Sequence, residues 1–300
     1  MNKPRIGFIG LGIMGTPMSK HLAEAGYDLV LYDLNPEPAS EIARLYKNAS
    51  VAENPRAIAE LSDIVITMLP SGRPVQEIAL GDNGLIHGFK PGSLLLDTSS
   101  SEPDLTIETA KVLHEKGVDM VDAPVSGAQW GAEAAELVFM VGGKEESVSR
   151  VQPLLKIMGN RVFHLGPVGA GHTMKSINNL ITAVTFLATT EGLIIGKKAG
   201  LDPEVMTDVL NESTGMSWIS QTQIKQRITS RKFDDPFKLA LMFKDVNIAA
   251  EKARELGLDV QLSFKGRDIW EKAAEFADKG ASISEMVKYV EDKTGTKIEK

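Results

Sequence analysis

Three glycines constrain this chain more than any other feature, because Gly10, Gly12 and Gly15 stand between a short β-rich run, Arg5–Ile9, and a helix-length amphipathic stretch, Ile13–Ala25. The spacing Gly10-Leu11-Gly12-Ile13-Met14-Gly15 gives each glycine its own task. The first permits a tight turn, the second lets an anion approach bare backbone, and the third lets the helix pack closely on the strand. Unpaired N–H groups at the positive end of the helix then favour a phosphate. The alternative is an ordinary glycine turn between a strand and a helix.

The rest of the first half repeats that alternation. Asp28–Tyr32, Asp63–Met68, Ser93–Asp97, Val118–Asp122 and Arg161–Leu165 read as strands, with helical patterns such as Pro103–Glu115 and Glu145–Met158 between them. Alternation of this kind predicts a mostly parallel sheet covered on both faces. A further apolar run, Leu137–Val141, is expected as a strand near the sheet edge. Beyond Gly166-Pro167 only helical periodicities remain, punctuated at Pro203, Gly215, Pro236, Gly257 and Gly280. The expected fold class is therefore α/β, a Rossmann-type doubly wound sheet in residues 1–164 followed by an all-helical domain in residues 165–300. The stretch Lys175–Lys198 is apolar nearly all round and is expected to be buried on several sides. The polar tail Glu291–Lys300 is expected to fray.

Asp33 closes the second strand eighteen positions after Gly15. A carboxylate there can accept hydrogen bonds from adenosine ribose hydroxyls, and it would repel a 2′-phosphate. The following Leu34 offers no guanidinium, so the spacing favours NAD over NADP, with a simple strand-end cap as the alternative. Met68, Leu69 and Pro70 follow the next strand and Thr98 the one after, at the sheet edge where a ligand across the switch point would be touched.

Charge and composition remove several function classes. The 33 basic and 40 acidic residues give a net charge of −7 with no basic run, which argues against nucleic acid or an anionic membrane as partner. No cysteine occurs, so disulfides, thiolate nucleophiles and cysteine-based zinc sites are excluded, and a reducing cytoplasm is the expected compartment. The glycines interrupt the apolar start too early for a secretory signal. Ile177–Gly196 approaches spanning length, but its Asn178, Asn179, threonines and Glu191 favour a buried helix. The five histidines, at 21, 87, 114, 164 and 172, show no ligand spacing, so no metal is expected.

Two segments carry candidate chemistry. In Asp122-Ala123-Pro124-Val125-Ser126-Gly127 the Ser126 hydroxyl and neighbouring N–H groups could cradle a carboxylate, or could form a simple turn. In Gly169 to Asn179, Lys175 and Asn179 stand one helical turn apart on the same face. A lysine opening an otherwise apolar helix is costly unless paired or used, and partial desolvation would bring it towards proton exchange. The alternative is a lysine whose stem reaches solvent.

The start Gly7 to Gly15 with Pro17-Met18, then Asp122 to Gly127, then Gly171 through Lys175 to Asn179, and finally Lys244-Asp245, together resemble the β-hydroxyacid dehydrogenase family over essentially the whole chain. The resemblance implies hydride transfer between NAD and a small β-hydroxy acid or its semialdehyde. It implies Lys175 as proton donor to the substrate oxygen, Asn179 as holder of that oxygen, and Ser126 and Gly127, with Ala128 beside them, as binders of the substrate carboxylate. Lys244 resembles the lysine that closes over cofactor and substrate, and a homodimer or homotetramer is implied. The opening and Met68–Gly84 resemble the tartronate semialdehyde reductases most; a 3-hydroxyisobutyrate dehydrogenase, or a relative acting on a longer or sulfonated acid, is the alternative.

The departures concern the pocket. Ala128 stands where the family usually has a second glycine, Ala135-Glu136 replaces a Gly-Thr pair, Trp130 is bulky, and Thr214 to Trp218 has no obvious counterpart. A non-enzymatic reading, an NAD-sensing module without turnover, is opposed by Lys175.

Overall fold

The apolar runs between glycine and proline signals become strands. The structure is a computed structural model that describes residues 3–299. The strands are β1 (Ile6–Ile9), β2 (Leu29–Tyr32), β3 (Ala49–Val51), β4 (Ile64–Thr67), β5 (Leu94–Asp97), β6 (Asp119–Asp122), β7 (Val125–Ser126), β8 (Leu137–Gly142) and β9 (Gly159–Gly166). They form one sheet in the order β3-β2-β1-β4-β5-β6-β8-β7, with β9 also paired to β8. Pairing from β3 through β6 is parallel, whereas β8 runs antiparallel to β6 and β7 and parallel to β9. Leu137–Val141 thus forms the strand next to the edge, as its apolar run predicts.

Strand order reverses at β1, which lies between β2 and β4, so the switch point opens beyond Ile9. Successive residues face opposite sides of the sheet. Leu29, Leu31, Ile64, Ile66, Leu94 and Leu96 enter one core, and Val30, Val65 and Leu95 the other. That double burial explains why these strands are continuously apolar.

Helices α1 (Gly15–Glu24), α2 (Pro36–Leu45), α3 (Pro55–Leu61), α4 (Gly72–Leu80), α5 (Pro103–His114), α6 (Ala128–Glu133) and α7 (Glu145–Met158) alternate with the strands. Asn35 and Asn54 accept backbone N–H bonds at the starts of α2 and α3, each followed by proline at the first helical position. Then come α8 (Ala170–Lys198), α9 (Pro203–Asn211), α10 (Trp218–Thr222), α11 (Leu239–Glu255), α12 (Gln261–Phe276) and α13 (Met286–Thr294), with a π-helical turn at Ile224–Thr229.

The chain forms two compact units that divide between Lys175 and Ser176, inside α8. The strand pattern ends earlier, near His164, but the first turn of α8 is bonded to β6 through Asp122 and so counts with the sheet.

Two expectations are corrected. Helix α8 does not bury all its faces: Ala183, Phe186, Leu187, Leu193 and Ile194 enter the helical core, whereas Ile177, Ile181 and Ile195 are 40%, 60% and 69% exposed. Its length and apolar composition would suffice to cross a membrane, yet its core face already accounts for much of that apolarity. The C-terminal segment does not fray as far as Glu299. Glu291 is buried, accepts two bonds from Arg231 at 2.6 and 2.9 Å and another from Ile298 N at 2.8 Å, and Ile298 is fully buried. A bidentate guanidinium anchors what looks polar in sequence. Lys300 lies outside the described residues.

Candidate active site

The three glycines differ in what surrounds them. Gly10 has φ +93°, and a Cβ on it would stand 2.3 Å from the Met68 carbonyl oxygen. A Cβ on Gly15 would meet the Gly10 carbonyl oxygen, so α1 could not sit this close to β1 with any larger residue. Gly12 is the opposite case, since a Cβ there would meet nothing within 4 Å. Bare backbone therefore faces open space ahead of α1, which suits a pyrophosphate. Leu11 is buried and Ile13 exposed, while Met14 is half-buried and packs on the sheet core.

Asp33, just past β2, accepts the Leu11 N–H at 2.6 Å and the Asn35 N–H at 2.8 Å. It thereby ties the glycine turn to the end of β2, with the carboxylate held beside the turn. Leu34 is 88% exposed and leaves no cation there. Across the switch point, the Met68 N–H donates to the Ile9 carbonyl and the Leu69 N–H donates to Ser99 Oγ, just past β5, at 2.9 Å, with Pro70 next along the loop to α4. Thr98 is fully buried and its hydroxyl donates to the Thr67 carbonyl at 2.7 Å, so its side chain holds β5 to β4.

The Ser126 segment is not a simple turn. Val125 and Ser126 pair with Phe139 and Val138 as β7, Gly127 follows with φ +134°, and α6 begins at Ala128. Ala128 itself has φ +55°, a left-handed conformation that costs a residue with a Cβ about 1 kcal/mol or more. Glycine would adopt it without that cost. Trp130, in the same short helix, is 45% exposed.

A buried polar network gathers at the ends of β5 and β6. Asp97 closes β5 and accepts from Thr67 Oγ1, Ser99 N and Ser101 Oγ at 2.9, 3.0 and 2.9 Å. Asp122 closes β6 and accepts the Gly169 and His172 amides at 2.7 and 2.9 Å. Burial pushes the Asp122 carboxyl above its usual range, although His172 and those amides pull the other way. Lys175, half-buried, lies one turn after His172 on α8.

In the helical unit, Asn179 is buried and its amide nitrogen donates to Asp245 Oδ2 at 2.6 Å, while Lys244 Nζ lies 3.1 Å from Asp245 Oδ1. One buried carboxylate on α11 thus orients both. The sequence signals Asp245 only as the neighbour of Lys244; its bond to a residue 66 positions earlier has no local signature. The same holds for Asp122, whose partners on α8 lie 47 and 50 positions away.

A family profile described as the NAD binding domain of 6-phosphogluconate dehydrogenase matches residues 5–166. A second, described as NAD-binding of NADP-dependent 3-hydroxyisobutyrate dehydrogenase, matches residues 169–290. A 2-(hydroxymethyl)glutarate dehydrogenase of Eubacterium barkeri is 35% identical over 98% of this chain and 97% of its own length. The mitochondrial 3-hydroxyisobutyrate dehydrogenase of Mus musculus is 37% identical over 90% of this chain and 82% of its own. For an NAD-dependent L-serine dehydrogenase of Pseudomonas aeruginosa the values are 36%, 83% and 85%. Among solved structures, a Mycobacterium tuberculosis 3-hydroxyisobutyrate dehydrogenase determined with L-serine matches with a TM-score of 0.87 at 31% identity, covering 96% of this chain and 99% of that one.

Proposed function

The chain belongs to the β-hydroxyacid dehydrogenase family of NAD(P)-dependent oxidoreductases, and from that membership we propose that it interconverts a small acid of the form HOCH2–CH(R)–COO− and its semialdehyde. The relatives' names support this form, because 3-hydroxyisobutyrate, 2-(hydroxymethyl)glutarate and L-serine share it and differ only in R. Glycerate, the reduced partner of tartronate semialdehyde, has the same skeleton with R a hydroxyl, and it is our first choice on the resemblance of the opening and Met68–Gly84. 3-Hydroxyisobutyrate is the second, favoured by the relatives named for it.

The observation that carries the proposal is the pair on α8: Lys175 and Asn179 stand one turn apart, with the Asn179 amide held by buried Asp245. In our reading Lys175 gives a proton to the carbonyl oxygen during reduction and removes the hydroxyl proton during oxidation. Asn179 donates to the same oxygen. Ser126, Gly127 and the Ala128 backbone receive the carboxylate, and the methyl of Ala128 sets the room left for R. Lys244 binds over the cofactor. Bound NAD supplies the hydride acceptor or donor, while these side chains supply position and charge. Gly10 to Gly15 receive the pyrophosphate, Asp33 the ribose, and Met68, Leu69, Pro70 and Thr98 form the wall opposite. A homodimer or homotetramer in a reducing compartment completes the reading; the exposed Ile177, Ile181, Ile195, Val205 and Val209 of α8 and α9 support association of copies through the helical unit.

Substrate form is tested by following NADH absorbance with a panel of three- to six-carbon hydroxy acids and semialdehydes. We expect turnover confined to compounds with a terminal hydroxymethyl or aldehyde carbon attached to the carbon that bears the carboxylate. Turnover of none of them with either cofactor would overturn the proposal.

Cofactor preference rests on Asp33. Asn at position 33 keeps an acceptor for the Leu11 N–H, so the double change Asp33→Asn with Leu34→Arg removes the negative charge and adds a guanidinium without leaving the turn unbonded. The ratio of kcat/KM for NADP over NAD is expected to rise by roughly 100-fold, equivalent to about 2.7 kcal/mol. A wild-type enzyme that already prefers NADPH would contradict the role given to Asp33.

A further inference from the structure

Resting on the assignment of Lys175 above, we propose that Asp122 is a positioning residue for it: this buried carboxylate fixes the first turn of α8 against the strand end that leads into Ser126 and Gly127, so one side chain sets where the proton donor and the carboxylate-binding loop lie. Asp122 is fully buried at the end of β6, and four residues later comes Ser126. Its Oδ1 accepts the Gly169 N–H at 2.7 Å and its Oδ2 the His172 N–H at 2.9 Å. These are amides at the beginning of α8, where a helix lacks internal acceptors and a negative charge is favoured.

The approach is built for closeness. A Cβ on Gly171 would come within 2.3 Å of the Met140 carbonyl oxygen and 2.8 Å of Asp122 Oδ2. A Cβ on Gly142, in β8, would come within 2.5 Å of Asp122 Oδ1 and 2.7 Å of the Pro167 carbonyl oxygen. Both sides of the carboxylate are therefore lined by glycine, and α8 starts directly against the ends of β6 and β8.

His172 adds a second tether. Its Nε2 lies 3.1 Å from the Ser99 carbonyl, which can only accept, so that nitrogen donates. Its Nδ1 lies 2.8 Å from Thr106 Oγ1 on α5, and the ring stands 3.6 Å from Asp97 Oδ2 and 3.7 Å from Asp122 Oδ2. The first turn of α8 is thereby pinned to the ends of β5 and β6 and to α5. Because a helix is stiff over one turn, the direction in which Lys175 leaves the backbone is set three residues earlier. A buried carboxylate gains less stability than an apolar side chain of its size would. What it supplies is acceptors of fixed direction for two amides.

The test compares Asp122→Asn with wild type and with Lys175→Ala. The amide keeps one acceptor and turns a donor towards the other N–H, so one of the two bonds is lost. We expect kcat to fall roughly 10- to 100-fold, as a misplacement of about an ångström can do, with the NADH Kd within about twofold of wild type. The solvent deuterium effect on kcat should grow, because proton transfer becomes slower relative to the other steps. Amide hydrogen exchange in residues 168–175 should accelerate with the rest of the chain unchanged. A folded Asp122→Asn protein with wild-type kcat per NADH-binding site overturns the proposal, and so does a lower Tm accompanied by no change in kcat per site.

If Asp122→Asn does not fold, Gly171→Ala displaces the helix start without removing the carboxylate and should show the same fall in kcat. Rapid exchange of the Gly169 and His172 amides in the wild-type protein would also overturn the proposal, whatever the variants do. Full activity in Lys175→Ala would mean instead that the assignment of Lys175 has failed; loss in Lys175→Ala with full activity in Asp122→Asn removes the positioning role alone.

Discussion

Lys175→Ala is expected to lower kcat by roughly 100- to 10,000-fold while the NADH Kd stays within about twofold of wild type. The reason is local. In the proposed reading the substrate oxygen gains negative charge as the carbonyl is reduced, and Lys175 is the residue of α8 that hands it a proton. A loss of about 1,000-fold corresponds to roughly 4 kcal/mol of transition-state stabilisation. Lys175→Arg should recover little, since a guanidinium stays protonated through the working pH range and cannot cycle a proton. Initial rates with the best substrate of the panel, together with NADH fluorescence titration, measure both quantities. A rate within about twofold of wild type in Lys175→Ala would discard the mechanism.

Trp270→Ala is expected to destabilise the helical unit by about 3–5 kcal/mol, the usual cost of emptying a fully buried aromatic site. Trp270 on α12 is 0% exposed and meets Phe186 of α8 edge-on, with ring centroids 5.8 Å apart at 81°. Its indole N–H donates to the Ala183 carbonyl at 3.1 Å. The two helices come close because Gly266 has no side chain; a Cβ there would lie 3.0 Å from Val184 Cγ2. Alanine removes the ring from the middle of this packing, and surrounding structure relaxes only partially into such a space. Trp270→Phe keeps an aromatic contact and loses the hydrogen bond, so a smaller loss of about 1–2 kcal/mol is expected. Urea unfolding followed by circular dichroism distinguishes the two, and equal stability of Trp270→Ala and wild type would show that this packing does not hold the unit together.

Local patterns made much of the fold legible. The strands expected from apolar runs appear within one or two residues of their expected ends, and α7 spans Glu145–Met158 as the periodicity predicts. Elements without a pattern escaped: β3 has three residues at the sheet edge, partly exposed, and β7 has two. Neither is long enough for an alternation to show. In α8 the apolar residues are real, but composition does not say which face meets the core, and Ile177, Ile181 and Ile195 lie on the other one. The tail misled because Glu291 reads as a solvated charge until Arg231, 60 positions away, is found against it.

The candidate site divides along the same line. Glycine at 10, 12 and 15, a carboxylate at 33, a lysine and an asparagine four apart: these are short-range features, and a single sequence contains them because turn geometry and helical spacing act over a few residues. The chain alone therefore determined an α/β nucleotide-binding architecture with a helical second half, and which residues were worth watching. Only tertiary structure decided that Asp245 holds Asn179 and Lys244, that Asp122 holds the start of α8, and that Ala128 occupies a left-handed backbone position. Those facts depend on which buried donor comes to face which buried acceptor once distant segments are packed, and hydrogen bonds across 47 to 66 positions leave no periodicity to read.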